Sequence, residues 1–236
     1  MRRSHRAAAI LSAAALLATT VYVGLTAGTA GALQGCVPGE TQVAVFQLKN
    51  FGGRCAIFGK GAHPDITSGA VSGSVMDNSV SSIKIGVHAA AVVHENPNFG
   101  GNADNSWESF TSDVADLSPY QYHNNADSVD DSISALWVMQ QGCVPQGKQF
   151  AVFDQQNFGG ACVIVKPGSY SDVVSAGFPN DWAGSIKTGG SATGTAWIDI
   201  PFANASCSYT QSASYPFICF GDDQMSSLQI VGIPGG

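Results

Sequence analysis

The chain has 236 residues, of which 44% are hydrophobic and 11% charged, with 28 Gly, six Cys and a formal net charge of −7. Ten Lys and Arg stand against 17 Asp and Glu, a balance that excludes a nucleic-acid partner, because phosphates need basic side chains. Fourteen of the 17 acids are Asp and three are Glu, and Asp is a turn former and a short, hard oxygen ligand rather than a helix former.

Residues 1–32 read as a targeting segment: Arg2, Arg3 and Arg6 precede an apolar run from Ala7 to Leu25, and Ala30-Gly31-Ala32 has the form of a cleavage site. The expected product is secreted, with 7 basic and 17 acidic residues once those three arginines are gone, or −10. No other apolar run is long enough to span a bilayer, so no stable membrane insertion is expected. Leu33-Gln34-Gly35-Cys36 resembles a lipoprotein cleavage box, which would anchor the chain through a lipid on Cys36. Gln is an unusual filler there, and Cys143 repeats Cys36 far from any signal segment, so the disulfide reading of Cys36 is preferred.

Residues 36–58 and 143–165 repeat each other at a constant offset of 107, with 13 of 23 positions identical and the cysteines in step. An offset of domain length predicts two copies of one domain rather than a solenoid. Cys36 with Cys55 and Cys143 with Cys162 recur as pairs, which leaves Cys207 with Cys219; six cysteines in a secreted chain predict three disulfides.

A finer repeat orders the elements within each copy. Gln42–Phe46 and Phe150–Phe153 alternate as half-buried strands do. A turn with Asn-Phe-Gly-Gly follows, then a second strand such as Cys55–Phe58, a long Gly/Ser/Asp loop, and a polar segment leading into a last strand. The hairpins are marked by an aromatic ring, Phe five residues on and then Gly or its substitute: Phe46/Phe51/Gly53, His94/Phe99/Gly101, Phe153/Phe158/Gly160 and Trp197/Phe202/Asn204. The third place calls for φ > 0, which Gly adopts freely and Asn next most readily. These aromatics read as hairpin core. No stretch holds a helical period for more than two or three turns, so the chain is expected to be all-β.

Each unit closes on one pattern. The segments are Asp77-Asn78-Ser79-Val80-Ser81-Ser82-Ile83, Asp130-Asp131-Ser132-Ile133-Ser134-Ala135-Leu136, Asn180-Asp181-Trp182-Ala183-Gly184-Ser185-Ile186 and Asp222-Asp223-Gln224-Met225-Ser226-Ser227-Leu228. Two acid or amide residues, two variable ones and Ser-Ser precede an apolar strand. Such turns offer the carboxylate, amide, hydroxyl and carbonyl oxygens that calcium accepts at flexible angles. The same residues also cap turns by bonding their own backbone.

The paired patterns resemble the microbial βγ-crystallins, whose Greek-key units carry an aromatic, four residues, an aromatic, any residue and Gly, followed later by the acid/amide pair and Ser/Thr-Ser. The resemblance covers about residues 33–236. It implies two βγ-crystallin-like domains, 33–141 and 142–236, each of two Greek-key motifs forming a pair of packed antiparallel sheets. It also implies calcium, shared between the two closing segments of a domain. Carried over, the ligands in domain one are Asp77, Asn78, Ser79 and Ser81 with Asp130, Asp131, Ser132 and Ser134. In domain two they are Asn180, Asp181 and Trp182 with Asp222, Asp223, Gln224 and Ser226. Ala135 replaces a final Ser that mainly stabilises the loop, and Gly184 removes one hydroxyl ligand. Ser185→Ala is accordingly expected to leave calcium binding almost unchanged.

Catalytic material is sparse. There is no Gly-x-Ser-x-Gly, no His-Glu-x-x-His and no phosphate-binding glycine loop. His63, His88, His94 and His123 all fall in the first copy, and His94 takes the aromatic place of its hairpin. Asn204-Ala205-Ser206 is a formal glycosylation sequon. Two functions fit: a secreted, non-enzymatic, calcium-binding structural protein, or a secreted interaction protein of the protease-inhibitor or killer-toxin type. The second would engage an extracellular protein such as a protease through a long exposed loop with an apolar tip. Residues 112–127, with Asp113-Val114-Ala115-Asp116-Leu117 and Tyr120, are the candidate for that loop.

Overall fold

The computed structural model describes residues 36–68, 75, 77–100, 106–123, 125–221 and 224–233. The expected signal segment, Asp222 and Asp223 lie outside the described residues. Strands joined by turns and short 3₁₀ segments make up the described residues, with no α-helix among them.

The first unit supplies β1 (Val43–Leu48), β2 (Gly52–Phe58), β3 (Gly61–His63) and β4 (Ser82–Ile85), and the second β5 (Ala89–His94), β6 (Trp107–Phe110) and β7 (Ala135–Gln140). The third unit holds β8 (Phe150–Phe153), β9 (Cys162–Val165), β10 (Gly168–Tyr170) and β11 (Ser185–Thr188). The fourth holds β12 (Ala192–Asp199), β13 (Ala203–Tyr209), β14 (Ser214–Tyr215) and β15 (Ser227–Gly232). In every unit the first strand lies antiparallel between the second and the last. The third strand crosses over: β3 pairs with β7, and β10 with β15. The exchange is returned by β14 on β11 and, in the first half, by a bridge from Val114 to Ile83. Each half is therefore two interlocked antiparallel sheets.

The hairpin between the first two strands is sharper than a glycine signal alone suggests. Asn50 and Phe51 have φ of 56° and 60°, Asn98 and Phe99 53° and 59°, and Asn157 and Phe158 57° and 64°. Two successive positive φ values make the turn whose twist matches that of the strands. Asn tolerates this region, but a bulky residue such as Phe does not. A serine from the closing segment holds it in place. Ser82 Oγ donates to Leu48 O (2.7 Å) and accepts from the Phe51 N–H (3.0 Å). Ser185 does the same between Gln155 O (2.6 Å) and Phe158 N (3.0 Å), and Ser227 between Asp199 O (2.8 Å) and Phe202 N (3.1 Å). The register sets these serines opposite the hairpin aromatics: Phe46 faces Ser82, Phe153 faces Ser185 and Trp197 faces Ser227. In the second unit Ala135 faces His94 and offers no hydroxyl. There Phe99 packs on His94 and Trp137, with ring centroids 5.2 and 5.1 Å away, and the buried His94 is the expected core substitution.

Ser185 thus has a structural role apart from calcium, because its hydroxyl pins the third hairpin whatever Gly184 lacks. Ser82→Ala, Ser185→Ala and Ser227→Ala each orphan a backbone N–H and a carbonyl. Each should cost about 1–3 kcal/mol in denaturant unfolding. Three losses inside the roughly ±0.5 kcal/mol of ordinary surface changes would contradict the role.

The two halves meet along β7 and β9, which pair at Gln140 and Cys162, so that one sheet runs on in the order β14-β11-β8-β9-β7-β5-β6. Within this sheet β5, next to the edge strand β6, is buried on both faces. Ala89, Ala91 and Val93 join the core of the first half, while Ala90 and Val92, with Trp137 and Met139, pack into that of the second. A strand covered on both sides is small and apolar throughout, which is why Ala-Ala-Ala-Val-Val does not alternate.

A cavity of about 470 Å³ lies at this seam between Trp107, Glu108, Ser109 and His123 on one side and Asp154, Gln155 and Gln156 on the other. Asp154 is 3% exposed. Burial pushes its carboxyl up to about 7. The Ser109 hydroxyl and the amides of Gln155 and Ala161 oppose that shift weakly, because no donor closes a well-formed hydrogen bond on either oxygen. Burial also raises Glu108. The folded-state value of Asp154 exceeds the usual 3.8, so its contribution to stability is complete below about pH 4 and is lost as the pH rises through 7. The melting temperature should fall between pH 5 and pH 8, and Asp154→Asn should remove most of that fall. An unchanged slope in the variant would place the titration elsewhere.

Candidate metal site

The two closing segments of the first half lie side by side and grip one another reciprocally. Asn78 and Asp131 are left-handed, at φ 52° and 56°. The Asn78 N–H donates to Ile133 O (3.3 Å), and the Asp131 N–H to Val80 O (3.0 Å). Ser134 Oγ donates to Asn78 Oδ1 (3.0 Å), and Ser81 Oγ to Asp131 Oδ1 (2.9 Å). Backbone bonds of 2.9 Å from Ser81 N to Phe46 O and from Ser134 N to His94 O tie each segment to its own hairpin. The acid/amide position thus has a conformational reason beside any ligand role, since Asn and Asp accept this backbone region.

The two serine pairs differ in surroundings. Beside Ser134 and Asn78 opens a cavity of about 330 Å³, also lined by Asp77, Asp131 and Ser132. Glu95, Asn96 and Pro97 complete its lining, and no Lys or Arg is among the described residues that line it. Glu95 was missed by the sequence reading; it directly follows its hairpin aromatic, as does Gln47, whose Nε2 reaches Ser79 of a closing segment. The Ser132 hydroxyl donates to Ser128 O (2.5 Å) and lies 3.0 Å from Tyr122 Oη.

At the Ser81–Asp131 pair, Ser79 Oγ accepts from Gln47 Nε2 (3.4 Å). Asp130 carries a buried Oδ1 without a hydrogen-bond partner, and its Oδ2 is 3.9 Å from Lys49 Nζ.

The second half repeats part of this arrangement. Asp181 is left-handed at φ 49°, its N–H donates to Met225 O (3.2 Å), and Ser226 Oγ donates to its Oδ1 (3.2 Å). Burial raises the Asp181 carboxyl, and the charge of Asp199 pushes the same way. Asn180 is partly buried and Gln224 exposed. The Trp182 ring is fully buried, 5.7 Å from Phe178, so only its backbone can reach a site. Gly184 makes the same hairpin bond as Ser81, to Phe153 O at 2.8 Å, but brings no hydroxyl.

Among the described residues no three His, Cys, Asp or Glu side chains converge closely enough to hold a metal ion. A cation here would rely on hydroxyl, amide and carbonyl oxygens beside one or two carboxylates. That donor chemistry suits calcium rather than a transition metal.

No protein-family model and no curated protein matches the chain. Among solved structures, a double mutant of a βγ-crystallin domain from Clostridium beijerinckii is 31% identical, with 35% of this chain and 96% of that one covered and a TM-score of 0.32. The N-terminal domain of protein S is 20% identical over 37% of this chain and 99% of its own, with a TM-score of 0.34. A clostrillin double mutant in complex with nickel is 29% identical over 36% and 99%, with a TM-score of 0.33. The strand exchange and the paired closing loops define a duplicated Greek-key β-protein. In sequence the chain is similar to these βγ-crystallin domains, over about a third of its own length and nearly all of theirs.

Proposed function

We propose that this protein is a secreted, non-enzymatic structural protein that binds calcium between the closing segments of its Greek keys, in two domains divided near Gln141 and Gly142. The observation that carries the reading is the Ser134–Asn78 pair, which faces a cavity lined by Glu95, Asp77 and Asp131 and, among the described residues, by no basic side chain. An ion there would join the two Greek keys of one domain, because its oxygens come from both. Three disulfides support an oxidising destination: Cys36–Cys55, Cys143–Cys162 and Cys207–Cys219, with Cα separations of 6.3, 5.9 and 6.2 Å. No described helix is long and apolar enough to cross a membrane.

The loop weighed for an inhibitor-like partner supports this reading over its rival. Val114, Leu117 and Tyr122 are buried in the first core, and Tyr120 lies edge-on to Phe110 at 5.2 Å. Of the large apolar residues that would form a docking tip, three are spent on the fold and Tyr120 stays 39% exposed.

Extracellular calcium modules work at about 10⁻⁴–10⁻³ M. At an ion concentration ten times the dissociation constant, linkage gives on the order of 1.4 kcal/mol per site. The melting temperature should rise between excess chelator and millimolar calcium, and Ser134→Ala and Glu95→Gln should each reduce the rise. Identical melting in chelator and calcium would refute the calcium reading.

A further inference from the structure

The two serine pairs of the first domain are related by the internal repeat, yet one of them has a fixed positive charge beside it. Lys49 stands three residues after the hairpin aromatic Phe46; the corresponding residues after His94, Phe153 and Trp197 are Pro97, Gln156 and Ile200, all uncharged. Its Nζ is 3.0 Å from Asp116 Oδ1, 3.0 Å from Ser118 Oγ and 3.9 Å from Asp130 Oδ2. Asp130 is one of the acids of the closing segment, and its other oxygen is buried without a hydrogen-bond partner. The same hairpin is tied to the same loop through its backbone, from the Asn50 N–H to Ala115 O at 2.7 Å.

We propose that Lys49 is a built-in cation at the Ser81–Asp131 pair, so that the first domain takes one calcium ion, at the Ser134–Asn78 pair, instead of two. The proposal rests on the calcium reading above. A dication entering the Ser81–Asp131 loop would have to share Asp130 with the ammonium and sit within a few ångströms of it, where like charges repel. The ammonium is also held from the far side. The Asp116 carboxyl is drawn down to about 2, first by the Ser118 hydroxyl and amide and then by Lys49, so it stays ionised. The hydrogen bond to Asp116 in turn raises Lys49. As a solvent-exposed ion pair, this contact adds little to stability. Its consequence lies in occupancy, and in fastening residues 113–118 to the first hairpin without an ion.

The test is a calorimetric calcium titration of the mature chain as wild type, Lys49→Met and Lys49→Arg, with thermal melts to confirm that each is folded. Lys49→Met should bind one more ion per chain than wild type, and Lys49→Arg the same number as wild type. Amide exchange over residues 113–118 should quicken in calcium-free Lys49→Met and return to the wild-type rate when calcium is added. Equal stoichiometry in wild type and Lys49→Met would overturn the proposal and leave the calcium reading standing. If neither protein binds calcium, the calcium reading fails and this proposal fails with it.

Discussion

Holding a phenylalanine in a left-handed backbone conformation is the constraint on which the rest of this structure depends. The turn needs two positive φ values in succession, and the second falls on Phe in each of the first three hairpins. Local sequence cannot hold that geometry, because a bulky side chain crowds the backbone there. In three units the holding group comes from 25 to 31 residues away, as a serine hydroxyl bridging the carbonyl and the N–H across the turn. The distant closing segment must therefore dock before the hairpin is secure. Once docked, it presents the preceding position, Ser81 or Ser226, to the neighbouring segment. The candidate ligand geometry is a by-product of the hairpin lock.

The strand exchange explains why any ion would be shared. Because β3 pairs with β7 and β10 with β15, neither Greek key completes its sheet alone. The closing segments are drawn together, and each left-handed acid or amide donates its N–H to the other segment's carbonyl. A cation held by both segments would reinforce a contact that hydrogen bonds already make. Such binding would add to stability instead of creating the fold, unlike that of domains unfolded without metal.

The sequence made most of this legible. Alternation marked the strands, and the constant offset of 107 revealed the duplication and paired four of the six cysteines. The four closing segments stood out because carboxylates, amides and hydroxyls recurred at fixed spacing. What stayed hidden was non-local. The two-sided burial of β5 depends on the second half covering it. Glu95 reaches the closing segments only through hairpin folding. Ser185 looked redundant because its ligand neighbour was missing, while its real partners, Gln155 O and Phe158 N, lie across the turn. Asp154 looked like one Asp among many until the seam enclosed it.

Duplication supplied four nearly equal frames, and the differences in chemistry come from residues outside the shared pattern or from gaps within it. Glu95 adds a carboxylate to one pair, Lys49 brings an ammonium to another, and Gly184 deletes a hydroxyl from a third. None of these disturbs a hairpin lock. Where the lock itself is lost, at Ala135, packing of Phe99 on His94 and Trp137 replaces it. The ligand hydroxyl and the locking serine are each lost in one of the four units, at Gly184 and Ala135. A repeated scaffold thus keeps one architecture while its loops diverge in charge.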